Sequence, residues 1–179
     1  MRKPAHNLMA YNSQIVVDEK FKLIAATDVS SKGSDNEQLY KMSKQTQDNL
    51  AVLSLEITAD KGYYSAKELK KCVLGNVNAH VPEVNRNHVQ ISKGKYTREQ
   101  FKYNPKMRTQ EAKDIVKQRS SIVEHPFGTI KRMLGWDHFL VRGKDKVSGE
   151  NALIMLCYNF MCVINIMENE LFKKFIQVV

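Results

Sequence analysis

Cysteine is scarce: 179 residues carry only Cys72, Cys157 and Cys162. Their number is odd and no C-x-x-C pair occurs, which argues against a disulfide framework or a cysteine zinc site. Reduced thiols in the core of a cytoplasmic protein fit better. Eight glycines and four prolines exclude a collagen-like or low-complexity chain. Residues 1–10 hold no apolar run, so no signal peptide is expected there, and they hold no Asp or Glu. Long hydrophobic runs are also missing. The most apolar stretch, residues 152–167, is interrupted by Asn159 and Asn165. A membrane span needs about 20 apolar residues, so this stretch is expected to be a buried helix and no membrane partner is expected. Phosphate-binding loops, a G-x-S-x-G elbow, zinc spacings and a dinucleotide fingerprint are all lacking.

What is present is an ordinary globular composition with a charge surplus. Hydrophobic residues make up 42% and charged residues 26%, enough for one domain or part of a larger one. The net charge of +9 points to a polyanionic partner. That surplus is local. Residues 1–60 carry −1 and residues 149–179 carry −1, whereas residues 61–148 hold 19 basic against 8 acidic side chains, net +11. Within this span, residues 85–108 interleave basic side chains with Tyr96, Phe101 and Tyr103. Such a loop suits phosphate tracking and base stacking, and equally suits plain solvation.

Periodicity predicts two strands over 11–17 and 21–29, joined as a hairpin across Asp18-Glu19-Lys20. Ser34-x-x-Glu37 reads as a capping box opening a helix to about Asn49, with Leu39, Met42, Thr46 and Leu50 on one face. A strand over 53–59 ends at Asp60-Lys61-Gly62. Ser65-x-x-Glu68 opens a short helix, and 77–81 is a strand stopped by Pro82. Residues 109–134 are helical in pattern, 136–141 extended, and Ser148 is expected to cap the apolar helix. Two strands followed by α/β alternation indicate a mixed sheet with helices packed on it; the ribonuclease H-like fold is one arrangement of this kind.

Two carboxylates stand out. Asp60 follows a strand, where α/β proteins bind ligands; an Asp before Lys-Gly also suits a tight turn, and taken by itself that role has the stronger case. Glu124 and Lys131 lie seven residues apart, nearly two helical turns, so they share a face. A carboxylate and a lysine so placed can hold a metal ion and a phosphate together, although on spacing alone a solvated helix face has the stronger case. Pro126 is expected to kink or restart the helix. His125 neighbours Glu124 but diverges from it by about 100°, and is not expected to be a ligand.

These residues carry a resemblance. Thr58-Ala59-Asp60-Lys61-Gly62-Tyr63-Tyr64 and Val123-Glu124-His125-Pro126-Phe127-Gly128-Thr129-Ile130-Lys131-Arg132 resemble bacterial insertion-sequence transposases of the DDE type. So do Tyr11-Asn12-Ser13-Gln14-Ile15-Val16-Val17-Asp18, Gly33-Ser34-Asp35-Asn36, His138-Phe139-Leu140-Val141-Arg142-Gly143, and the closing Tyr158-Asn159-Phe160 and Val163-Ile164-Asn165. The resemblance implies a ribonuclease H-like core that cuts and joins DNA with three carboxylates. Two divalent ions would be held, magnesium first and manganese second. Asp60 would be the second carboxylate and Glu124 the third, both catalytic and metal-binding, with Lys61, Arg119, Lys131, Arg132 and Arg142 on DNA. The family's signature of Tyr, two residues, Arg, a short gap, Glu, six residues and Lys is matched by Arg119, Glu124 and Lys131, while Val116 stands at the Tyr position.

The chain departs from the family in two places. The first carboxylate belongs on an earlier strand, and only Asp18 and Asp28 are near substitutes. The cysteine-bearing insertion of many members is shortened here and carries no cysteine. The resemblance therefore implies a partial catalytic domain over 1–179, its first strand missing. It divides into sheet and helices to residue 82, the basic loop 83–108, the glutamate helix and following strand 109–147, and the apolar helix 148–179. Such a chain is expected to be inactive alone, to expose a hairpin edge, and to self-associate or pair with an intact transposase in the bacterial cytoplasm. The alternatives are a non-catalytic DNA-binding or inhibitory remnant and a ribonuclease H-like nuclease.

Overall fold

The computed structural model describes residues 11–82, 110–167, 174 and 176. The basic loop at 85–108 and residues 1–10 lie outside the described residues. Strands β1 (Asn12–Val17) and β2 (Ile24–Ser30) form the expected antiparallel hairpin, with Asn12 opposite Ser30 and Ile15 opposite Thr27. Helix α1 (Leu39–Leu50) follows. Then come β3 (Leu55–Thr58), a 3-10 turn (Lys61–Tyr63), α2 (Ala66–Leu74) and β4 (Val77–His80), which pairs in parallel with β3. Helices α3 (Gln110–Met133) and α4 (Lys144–Ile166) complete the described chain. The architecture is mixed α/β. Among the described residues it holds two separate two-stranded sheets, β1–β2 and β3–β4.

Two apolar clusters hold these elements together. Leu39, Leu69, Cys72, Val77 and Val81 join α1 and α2 to the β3–β4 sheet. Ile24, Ile130, Met155 and Tyr158 join the hairpin to α3 and α4. All three cysteines are free; Cys72 is buried, and burial pushes its thiol up to about 11. Cys157 is exposed, so the expectation of core cysteines fails for that position.

Several local expectations are corrected by tertiary partners. Neither capping box forms. Helix α1 starts only at Leu39, and Glu37 pairs with Lys32 instead of capping. Ser65 makes no side-chain cap bond, and Glu68 is buried, where it accepts from the backbone N–H of Tyr40 and from Lys71. Helix α3 runs unbroken through Pro126, which is itself buried. Packing of the following Phe127 and Ile130 in the second cluster offsets the lost backbone bond.

Helix α4 starts four residues before Ser148, at Lys144, after Gly143, whose φ of 91° suits only glycine. It is long and apolar enough to cross a membrane by length and composition alone. It buries one face rather than its whole circumference: Val147, Asn151, Met155 and Tyr158 are inside, whereas Leu153, Leu156 and Phe160 are exposed. Asn151 and Asn159, on the side of the helix that meets the hairpin, bind it, whereas Asn165 is exposed. Asn159 accepts from the N–H of Ile24 and donates to its carbonyl. Asn151 donates to the Thr27 hydroxyl and accepts from that of Ser13.

Residues 136–141 form no strand. The Glu150 carboxylate takes the place of a ladder, accepting from the Trp136 indole and from the backbone N–H groups of Leu140 and Val141. Partial burial opposes ionisation of Glu150, but these three donors outweigh it and hold the carboxyl below its ordinary 4.5. A depressed carboxylate contributes its stabilisation above the unfolded value and loses it as pH falls through the folded one. Emission of Trp136, the single tryptophan, is therefore expected to stay constant above pH 4.5 and move toward that of exposed indole below it. Emission that stays flat until the whole chain unfolds in acid would disprove this linkage.

Candidate metal centre and basic surface

Asp60 sits at the end of β3 as the N-cap of the 3-10 turn, its Oδ1 accepting from the backbone N–H of Lys61. It is more than half exposed and lies 4.0 Å from the Arg119 guanidinium of α3. Capping the turn uses Oδ1 of this aspartate. Lys61 is exposed beside it.

Asp35, which lies in the Gly33-Ser34-Asp35-Asn36 segment and was given no role in the sequence, links this turn to β1. Its Oδ1 accepts from Asn12 Nδ2 at 2.7 Å and Gln14 Nε2 at 2.8 Å. Its Oδ2 lies 3.4 Å from where a Cβ on Gly62 would be. The Tyr63 hydroxyl donates to Gln14 Oε1. Burial, then the nearby Asp35 charge, pushes that hydroxyl up to about 12. The signal available in sequence was its place in the family-like segment Gly33-Ser34-Asp35-Asn36. Asp35→Ala removes the acceptor from the buried Gln14 amide. A cost of about 1–3 kcal/mol is expected in urea unfolding, with a smaller loss for Asp35→Asn, which keeps an acceptor. Equal midpoints for the alanine variant and the parent chain would show that the link carries no stability.

Glu124 is exposed on α3. Five residues separate it from Arg119, which on an ideal helix is about 140° of rotation. Asp60 therefore meets Arg119, while Glu124 shares its face with Phe127 and Lys131. Among the described residues no group of three His, Cys, Asp or Glu side chains is gathered as a metal site. Neither substitute for the first carboxylate joins Asp60. Asp18 lies at the far end of β1 from Gln14, about 13 Å along the strand. Asp28 pairs with Lys41. His125 is structural, its Nδ1 bonded to the Tyr158 hydroxyl at 3.1 Å.

Lys131 and Arg142 line one cleft of about 580 Å³ together with Tyr11, Trp136 and Phe139. The three rings pack edge to face, Tyr11 on Phe139 and Trp136 on Phe139. Arg132 is exposed, one residue round the helix. Cations suit phosphate contact and aromatic faces suit base stacking, and single-strand binding grooves combine the two.

Neither the curated proteins nor the solved structures give a match to this chain. The family model described as the transposase DDE domain matches residues 2–160. That span contains Asp60, Arg119, Glu124, Lys131 and Arg142, and it shows that the chain belongs to the transposase DDE domain family, a family of DNA transposition.

Proposed function

We propose that this chain supplies the second and third carboxylates, Asp60 and Glu124, of a DDE site on a ribonuclease H-like core, and that it does not cut DNA by itself. The observation that carries the reading is the 4.0 Å approach of Arg119 to Asp60. It ties the end of β3 to the helix that bears Glu124 and Lys131. Asp60 and Glu124 are hard oxygen donors, both exposed, and fit a divalent cation in kind though not yet in number. Two such ions, magnesium first and manganese second, would activate a water or 3′-hydroxyl and neutralise the leaving oxygen. Arg119 holds Asp60 in place and balances its charge. Lys131, Arg132, Arg142 and Lys61 hold the DNA backbone, with Arg119 at its edge. Transposon ends and target DNA are the substrates, in the bacterial cytoplasm, and a second copy or an intact transposase is the protein partner.

The purified chain is expected to leave supercoiled plasmid intact with magnesium or manganese. Nicking that both Asp60→Ala and Glu124→Ala abolish would overturn the inactivity and return Asp18 or Asp28 to the site. A non-catalytic DNA-binding remnant is the second reading, favoured by the basic aromatic cleft; it requires salt-sensitive DNA binding without any metal.

A further inference from the structure

Helix α4 is apolar on two opposite sides. Its hairpin side is buried through Val147, Asn151, Met155 and Tyr158. The other side carries Leu153, Leu156, Phe160, Val163 and Met167, at alternating steps of three and four residues, the spacing of a helix–helix seam. At 100° per residue these five lie within about 80° of one another and about 160° from the buried side. Leu156 is 64% exposed, Leu153 59% and Phe160 53%, and Val163 and Met167 are partly buried. A helix apolar on every side belongs inside a larger core, yet α4 meets such a core on one side only. Single surface leucines are ordinary; a continuous apolar row marks a contact surface.

Charge selects what covers it. From Asn151 to Met167 there is no Asp, Glu, Lys or Arg, so a charged partner gains nothing there. The whole chain carries +9, and two copies repel each other over most of their surfaces. The neutral row is the face on which two copies meet without that penalty, and in a two-fold pair it has to match only itself. Lys146, seven residues before Leu153 on the same side, is exposed. A parallel pair would set two Lys146 ammonium groups side by side, whereas an antiparallel pair separates them and aligns the helix dipoles favourably. The row is about 21 Å long. Two of them face to face bury on the order of 1,000 Å², the lower limit of a specific interface, which suits a dimer of micromolar strength.

We propose that α4 is the contact of a homodimer, in which Leu153, Leu156, Phe160, Val163 and Met167 pack antiparallel against the same row of a second copy. This surface rests on the second-copy partner named above and needs neither metal nor DNA.

The test is sedimentation of the full chain, free of DNA and metal, from about 1 µM to about 100 µM, which brackets a micromolar dissociation constant. A monomer is expected at the low end and a dimer at the high end. Leu156→Glu and, separately, Leu153→Glu should each weaken dimerisation at least tenfold. Both side chains face away from the core, so Trp136 emission and the thermal midpoint should stay those of the parent. Leu53→Glu, at a leucine 90% exposed between α1 and β3, should leave the dimer unchanged. Raising salt from about 0.05 M to about 0.5 M should tighten the dimer several-fold, because repulsion between like-charged copies is screened, while DNA binding weakens over the same range. A chain that stays monomeric throughout overturns the proposal, as does a dimer that survives both glutamate variants or that weakens with salt. So does a monomer that binds phosphatidylcholine–phosphatidylglycerol vesicles through Leu156, which would assign the row to a lipid surface. A monomer leaves the roles of Asp60, Glu124 and the basic cleft standing; a chain that nicks plasmid unaided refutes the inactivity and leaves the dimer standing.

Discussion

Replacing Ile130 with alanine is expected to lower stability by about 2–5 kcal/mol, and the thermal midpoint by roughly 5–15 °C. Ile130 has no exposed surface and packs with Ile24, Met155 and Tyr158. Through it α3 is held to the hairpin and to α4, so the cavity left by truncation opens where three elements meet. The polar neighbours cannot close it. Tyr158 is held by its bonds to the Lys22 carbonyl and His125, and Asn159 is held by both backbone groups of Ile24. Ile130→Val, which removes one methylene, should cost about 1 kcal/mol. A thermal midpoint for Ile130→Ala within 2 °C of the parent, roughly the shift that 1 kcal/mol produces, would mean that this cluster does not carry the junction. Because Lys131 is the next residue, the same variant also tests whether the basic cleft depends on the core beneath it.

The second large effect is expected on DNA. Removing both cations of the aromatic cleft, Lys131→Ala with Arg142→Ala, should weaken duplex binding roughly 10–100-fold at 0.1 M salt. The slope of log affinity against log salt should shrink by about two, since each phosphate contact contributes about 0.9. The loss should be similar for unrelated sequences, as phosphate contacts carry no base information. Lys44, paired with Asp48 on α1, is the control: Lys44→Ala should change neither quantity by more than a few-fold. An unchanged salt slope in the double variant would remove Lys131 and Arg142 from the DNA path and shift the burden to the basic residues 85–108.

The candidate site was legible as residue type. Asp60 at a strand end and the Arg119, Glu124 and Lys131 spacing are local patterns, and the structure places Asp60 at the end of β3 and Arg119 beside it. Asp35 was visible only as part of a family-like segment and without a role, because its partners, Asn12 and Gln14, lie more than twenty positions away. The capping boxes show the opposite failure. Ser34 and Ser65 are each followed by Glu at the right spacing, yet Glu37 and Glu68 are claimed by Lys32 and by Tyr40 and Lys71. A local rule yields when a side chain finds a stronger partner. Residues 136–141 fail as a strand for the same reason, since Glu150 already satisfies their backbone.

The sequence by itself determined the elements, the basic middle of the chain and the family, because helical period, strand period, charge count and motif spacing are properties of neighbours along the chain. Only the tertiary structure decided which carboxylate meets which cation and which face of the apolar helix is buried. Those depend on where distant segments come to rest, which is settled by burying Ile130, Met155 and Tyr158 against Ile24 on one side and Leu39 and Leu69 against Val77 on the other.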